Sequence, residues 1–171
     1  MEPLLKNQPI FSTCIMKTLL LLALLIPLLS NSNVVIPINT ENFEIPFSVW
    51  DELNVFLEEA SLTLPPTPVL LYEAKSLYEF NLLTGKPYSI GGVYKDFLII
   101  LQPINILKSK GIYEKILLHE LLHWVLYNLD EKFQEGVIYW WLGEYEKPEV
   151  EVFLDNFNGN LSNFIISHWE N

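Results

Sequence analysis

The hydrophobic positions of this chain predict alternating helices and strands from about residue 34 onward. Residues 48–60 carry apolar side chains at helical spacing, and Ser48 with Asp51 has the pattern of a capping box at the helix start. Residues 69–72 and 97–102 are short apolar runs that are rich in β-favouring side chains. Each of these two runs therefore predicts a buried or half-buried strand.

The second half of the chain predicts mainly helices. A short helix is expected over residues 75–83, and a longer one over 112–128 is apolar nearly all round, which is typical of a helix in the middle of a domain. Asp130 is suited to cap a following helix over 131–145. Beyond Pro148 the pattern weakens, and we expect one or two further helices.

The N-terminal residues have the composition of a targeting segment. Lys17 precedes an apolar stretch over residues 18–29, which is short for a membrane span and of the right length for the core of a signal peptide. We therefore predict a signal peptide or an uncleaved N-terminal anchor over residues 1–32, with Met16 as an alternative start. A single domain over residues 33–171 would then be exported, as a secreted, periplasmic or cell-surface protein.

The charge of the chain excludes one class of partner. The net charge is −11 over 171 residues, and all ten basic residues are lysines. A chain this acidic and without arginine is a poor candidate for binding nucleic acid or anionic membrane surfaces. Half of the residues are hydrophobic, so the chain has the material for a folded core.

Five residues on the predicted central helix suggest chemistry. His119-Glu120-Leu121-Leu122-His123 reads HExxH, the zinc-binding signature of metallopeptidases. Residues four apart lie on one helix face, so both imidazoles can point at one metal ion. Glu120, beside them, could act on a water at the metal. The chain has three histidines, and two of them have this spacing.

A catalytic zinc site needs a third protein ligand. The metzincin completion is excluded, because Leu126 and Leu129 stand where its glycine and last histidine would be. Glu135 on the next helix is the better candidate. With a turn near Leu129, His123 and Glu135 both lie roughly 9 Å from that turn, so they would be level in an antiparallel helix pair.

The stretch HELLHWVLYNLDEKFQEGVIYWW resembles the active-site core of the gluzincins, the peptidase MA group of zinc metallopeptidases. That resemblance covers about residues 90–141 and implies an α+β, zincin-like fold with a small mixed sheet. The upstream GGVYKDFLIILQP would be its edge strand, packed on the central HExxH helix, which is followed by a glutamate-bearing helix. By this resemblance His119, His123 and Glu135 bind Zn²⁺, Glu120 is the general base and acid, and the substrate is a peptide or protein.

Further residues are candidates for substrate contacts. Tyr139 lies one helical turn after Glu135, and His168 is the remaining histidine, so either could donate a hydrogen bond to a transition-state oxyanion. The 97–102 strand could pair with an extended peptide. Gly91 and Gly92 either form a tight turn with positive φ or let a turn pass close to the site.

Simpler interpretations stay open at this stage. The histidines of HELLH could be satisfied by hydrogen bonds within a buried helix, and Glu135 could be a solvated acid in an early helical turn. His168 could be a packed or surface side chain. In function, the alternatives are a non-catalytic zincin-fold binding or structural module and a zinc hydrolase of another amide substrate.

Overall fold

A four-stranded mixed sheet and seven helices make up the part of the chain that the structure, a computed structural model, describes: residues 34–40 and 43–169. The strands are β1 (Val35–Pro37), β2 (Val69–Glu73), β3 (Gly92–Lys95) and β4 (Leu98–Leu101). The helices are α1 (Phe47–Ala60), α2 (Leu77–Thr84), α3 (Ile104–Ser109), α4 (Tyr113–Val125), α5 (Glu131–Trp141), α6 (Pro148–Leu154) and α7 (Leu161–Ser167). The predicted α+β class is confirmed.

The targeting segment predicted over residues 1–32, together with Met16, lies outside the described residues. Within the two described ranges, no helix combines the length and the apolar character that crossing a membrane requires.

The stretch GGVYKDFLIILQP, which by the resemblance would be one edge strand, forms two strands: β3 lies at the edge of the sheet and β4 in its interior. The order in the sheet is β1-β2-β4-β3; β4 pairs parallel with β2 and antiparallel with β3. The continuous apolar run of β4 fits this place, because such runs are typical of strands covered on both faces. Within the described sheet, the edge beside β4 is β3, a strand that hydrophobicity alone did not indicate.

The turn between β3 and β4 is a two-residue hairpin turn with a strained backbone. Asp96 and Phe97 connect the two strands, with φ angles of 49° and 62°. Two-residue hairpin turns with positive φ at both positions favour Asn-Gly or Asp-Gly, and a bulky residue is rare there.

The first helix forms where it was predicted but is capped differently. Its buried face consists of Val49, Leu53, Phe56, Leu57 and Ala60. The capping box of Ser48 and Asp51 is wrong, because the residue before the helix is Pro46, which has no side-chain cap. The Ser48 hydroxyl instead donates to Glu114 Oε2 at 2.7 Å, which ties α1 to the start of α4.

The predicted central helix, α4, is surrounded by other elements. It contacts α1, α3, α5, β3 and β4. Its buried side chains include Leu117, Leu121, Leu122 and Trp124, and the Trp124 indole N–H donates to the carbonyl of Thr67. This helix is therefore the centre of the hydrophobic core, as its apolar pattern predicted.

The next helix, α5, begins at its predicted cap and ends earlier than predicted. The Asp130 side chain accepts a hydrogen bond from the amide of Lys132. At the other end Gly143 has a φ of 75°, and the amide of Glu144 donates to the carbonyl of Tyr139 at 2.8 Å. This is a Schellman motif, in which a glycine in the left-handed region ends the helix. The two helices expected beyond Pro148 are α6 and α7.

Two adjacent glycines bring the edge strand close to α4. Neither Gly91 nor Gly92 has a positive φ, so the tight-turn interpretation is wrong. A Cβ at Gly91 would lie 2.9 Å from Ile116 Cγ1, and one at Gly92 would lie 2.8 Å from Glu120 Oε1. These glycines are required because any side chain there would collide with the helix that carries the histidines.

A buried glutamine holds the segment before β3. Gln102 is fully buried, and its side-chain amide donates to the carbonyls of Tyr88 and Ile90 at 2.9 and 2.6 Å. Its backbone amide donates to the carbonyl of Gly91 at 2.9 Å. One residue therefore fixes three carbonyl groups on the approach to the edge strand.

We expect Gly136→Ala to destabilise the fold by about 1–3 kcal/mol, because it overpacks the α5–α6 contact. A Cβ at Gly136 would lie 2.3 Å from the carbonyl oxygen of Glu149 and 2.7 Å from Phe153 Cβ. The gain in helix propensity from alanine, about 1 kcal/mol, does not offset this collision. Denaturant unfolding measures the difference in the free energy of unfolding.

The matched control is Asn54→Ala, on the exposed face of α1. That change should leave the stability equal or raise it by a few tenths of a kcal/mol. A Gly136→Ala variant as stable as the parent would contradict the close packing of α5 and α6.

Candidate metal centre

The two histidines of HELLH occupy the one face of α4 that the core leaves partly open. Leu118, Leu121 and Leu122, between and beside them, are buried, whereas the side chains of His119 and His123 are 16% and 15% exposed. The helical spacing places the two rings on neighbouring turns, with centroids 5.0 Å apart. The imidazoles therefore point out of the core into a partly sheltered site.

Glu135 on α5 lies level with this pair, as the helix lengths predicted. Its Oε2 lies 3.5 Å from His119 Nε2, and its Oε1 lies 3.3 Å from His123 Nε2. Among the described residues, these three form a group whose ligating atoms all lie within 4.8 Å of one another. Two imidazole nitrogens and one carboxylate oxygen are a donor set that Zn²⁺ accepts in catalytic sites.

One atom of this group lacks a partner that a cation would supply. The Glu135 side chain is 40% exposed as a whole, but its Oε2 is buried and forms no hydrogen bond within the described residues. A buried carboxylate oxygen without a partner is costly. The residues present therefore fit a bound divalent cation.

The three groups also shift one another's pKa. Burial, and then the neighbouring His123, lower the pKa of His119 to about 4, so that its imidazole is neutral at neutral pH and able to act as a ligand. Burial by itself lowers the pKa of His123, but the hydrogen bond to Glu135 and the nearby carboxylates outweigh it and raise that pKa. Burial alone would raise the pKa of Glu135, but the hydrogen bond from His123 and the nearby histidines outweigh it and lower that pKa.

Glu120 lies between α4 and the edge strand. The residue is 4% exposed, and its carboxylate lies so close to the edge strand that a Cβ at Gly92 would be 2.8 Å from Glu120 Oε1. Burial raises its pKa to about 7, while the charge of His123 acts in the opposite direction. A carboxyl group with a pKa near neutrality can both accept and return a proton.

The orientation of His123 depends on a residue that the sequence reasoning missed. His123 Nδ1 lies 3.1 Å from Gln134 Oε1, and the Gln134 amide donates to the carbonyl of Leu129 at 2.8 Å. A ring that donates through Nδ1 has Nε2 free to face Glu135. The only sequence signal for this role of Gln134 was its place as a polar residue directly before Glu135.

Tyr94 was also missed. Its ring lies parallel to that of His123, with centroids 6.2 Å apart and an interplanar angle of 3°. Tyr94 lies within the stretch that the resemblance assigned to the edge strand, but nothing in the sequence placed its ring against His123.

The first candidate for a transition-state donor, Tyr139, lies at the site. Its ring centroid is 5.3 Å from that of His119, and it lies one helical turn after Glu135, on the same side of α5. Burial and the charge of Glu135 raise its pKa to about 12, so the hydroxyl keeps its proton at neutral pH.

The second candidate, His168, lies elsewhere. Its Nδ1 is 2.8 Å from the carbonyl oxygen of Phe164, and its ring packs against Phe164 and Phe133. Phe133 and Glu135 are two residues apart on α5, so their side chains point to opposite sides of that helix. The structure therefore does not bring His168 to the metal centre, and the packed interpretation applies.

Comparisons with known proteins identify no relative. No protein-family model matches this chain, and no match was found among curated proteins or among solved structures.

We expect Gln134→Leu to lower the affinity of the site for a divalent ion by about 10- to 100-fold, with Zn²⁺ as the probe. The leucine removes the acceptor for His123 Nδ1, so the ring loses its preferred orientation. Competition with a chromophoric chelator measures the affinity.

The matched variant is Gln134→Glu, which keeps an oxygen acceptor for His123 and should retain most of the affinity. Equal zinc affinity in the parent and in Gln134→Leu would show that Gln134 does not position the histidine.

Proposed function

We propose that this protein is a gluzincin-type, zinc-dependent peptidase with a zincin-like fold, exported by its N-terminal segment. The observation that carries the proposal is the group of His119, His123 and Glu135, with Glu120 buried next to it. This group unites the HExxH signature with a glutamate from the following helix, which is the gluzincin arrangement that the sequence resembles. Export rests on the composition of residues 1–32 alone.

In this proposal His119, His123 and Glu135 hold the zinc ion. When bound, the ion supplies a Lewis acid that polarises a carbonyl group and lowers the pKa of a water molecule. Gln134 keeps the His123 ring turned toward the ion, and the neutral state of His119 leaves its nitrogen lone pair available.

Glu120 is the general base and acid of the proposed reaction. Its carboxylate takes a proton from the attacking water and later gives it to the leaving amine. Gly92 leaves room for this carboxylate beside the edge strand. Tyr139 is the proposed donor to the oxyanion, because its hydroxyl lies at the metal centre and keeps its proton.

The edge strand is the proposed binding place for an extended peptide. The amide of Gln102 donates to the carbonyl of Gly91, so the backbone groups of residues 91, 93 and 95 face β4. Because the pattern alternates, the backbone groups of Gly92 and Tyr94 face away from β4. A peptide could therefore pair with β3 by strand addition, directly beside Glu120.

The purified parent should bind about one equivalent of Zn²⁺, and His119→Ala should lose it, because a catalytic zinc site needs all three of its protein ligands. Metal analysis by mass spectrometry, with calorimetric titration, measures both. His168→Ala is the matched control, since it removes the histidine that packs against Phe133 and Phe164. That control should bind zinc like the parent.

A parent that binds no zinc, or a His119→Ala variant that binds it equally well, would rule out the proposed metal centre. Zinc binding without hydrolysis of any peptide would favour the non-catalytic module.

Glu120→Gln should keep zinc and lose peptide hydrolysis by about 10²- to 10⁴-fold, because glutamine cannot accept the proton of the water. The measurement is mass-spectrometric detection of cleaved peptides, with and without chelator. The matched control, Glu58→Gln, changes an exposed glutamate of α1 and should leave the rate unchanged. Undiminished cleavage by Glu120→Gln would show that another group is the base.

A further inference from the structure

A continuous row of aromatic rings leads away from the metal centre. It starts at Tyr94, whose ring is stacked on His123, and continues through Phe97 and Tyr127 to Trp169. The successive centroid distances are 6.4, 5.6 and 5.7 Å. We call these four residues, Tyr94, Phe97, Tyr127 and Trp169, the aromatic strip.

The aromatic strip is open to solvent along its length. All four side chains are half-buried, neither enclosed in the core nor fully exposed. They come from the edge strand, its turn, the segment after α4 and the segment after α7. Parts of the chain that are distant in sequence therefore present one apolar surface, and it adjoins a metal ligand.

The backbone at Phe97 suggests that its ring has a role beyond filling space. With a φ of 62°, Phe97 adopts the left-handed conformation, which favours glycine or asparagine and disfavours an aromatic residue. The preceding Asp96 also has a positive φ. The Phe97 ring lies between those of Tyr94 and Tyr127, and strained residues of this kind concentrate at functional sites.

We propose that the aromatic strip is a specificity surface, which binds a large apolar side chain of an extended peptide on one side of the cleaved bond. This rests on the proposed peptidase function and names its substrate class. A peptide paired with β3 would continue past Tyr94 toward the β3–β4 turn and pass Phe97 and Tyr127. Side chains on the other side of the bond would instead meet Gly92 and the segment before it.

Selectivity follows from the chemistry of the strip. An apolar surface of aromatic rings favours phenylalanine, tyrosine or leucine over alanine through the area removed from water. Discrimination of this kind typically amounts to about 10- to 200-fold in kcat/KM. The competing explanation is that the rings only attach the β3–β4 turn to the end of α4, and it predicts no selectivity.

The test compares two peptides that differ at one position, phenylalanine in one and alanine in the other. A cleavage screen of a peptide mixture with the zinc-loaded full chain first identifies the position of strongest preference. The parent should cleave the phenylalanine peptide with a kcat/KM at least about tenfold higher. Phe97→Gly, which suits the turn and removes the ring, should reduce this ratio to near one with unchanged zinc content.

Two further variants separate this role from a structural one. Phe97→Asn keeps a residue that tolerates the left-handed conformation and should lose selectivity in the same way. Tyr78→Ala removes an aromatic ring of α2 that is 68% exposed, and it should leave the ratio unchanged. If Phe97→Gly and Phe97→Asn slow both peptides equally, or leave the ratio intact, the aromatic strip does not select the substrate.

If the protein has no peptidase activity, the aromatic strip is tested by peptide binding instead of cleavage. If the zinc-loaded parent cleaves no peptide, the same two peptides are titrated onto it, and the indole N–H signal of Trp169 is followed by NMR. A shift caused by the phenylalanine peptide alone, and abolished by Phe97→Gly, would support the surface without catalysis. The absence of any shift would overturn the specificity surface as well.

Discussion

The contact of the Glu135 carboxylate with two imidazoles of α4 is the interaction on which the arrangement of the site depends. It joins α4 to α5 and places a carboxylate in the interface between these two helices, which is otherwise mainly apolar. A carboxylate there is tolerable only if positive or hydrogen-donating groups face it. That requirement is met only in part by the groups that face the carboxylate, which are His119, Tyr139 and His123 with its raised pKa. Oε2 of Glu135 still has no partner, and a bound cation would supply one.

Two glycines, Gly92 and Gly136, let neighbouring elements pack closely around this contact. Gly92 allows the edge strand to lie against Glu120, and Gly136 allows α6 to lie against the helix that carries Glu135. Both glycines have ordinary φ angles, so steric room rather than backbone freedom explains them. The candidate metal centre thus has the edge strand packed against its neighbour Glu120 and α6 packed against the helix that carries Glu135.

The sequence predicted the parts of this site that depend on local periodicity. The spacing of His119 and His123, the cap at Asp130 and the length of the two helices were enough to place Glu135 level with the histidines. The edge strand could not be predicted in the same way. Leu98–Leu101 has the stronger hydrophobic signal because it is covered on both sides, whereas Gly92–Lys95 is short and begins with a glycine.

Side-chain contacts between distant segments were equally hidden from the sequence. The bond from Ser48 to Glu114 replaced a local cap, and Gln134 gained its role only because α5 turns it toward His123. The position of His168 depends on packing against Phe133, which no pattern around the histidine reveals. For each of these side chains, the hydrogen-bonding or packing partner is set by tertiary packing, which the local sequence does not reveal.

The positions of the candidate ligands along the chain separate two events in folding. His119, His123 and Glu135 all belong to one helical hairpin, so bringing them together closes only a short loop and costs little chain entropy. The environment of Glu120 instead requires the β3–β4 hairpin to dock on α4, a contact between separate elements. The group of two histidines and a glutamate can therefore form within the helical hairpin, but the buried carboxyl group of Glu120 is assembled only when the edge strand is in place.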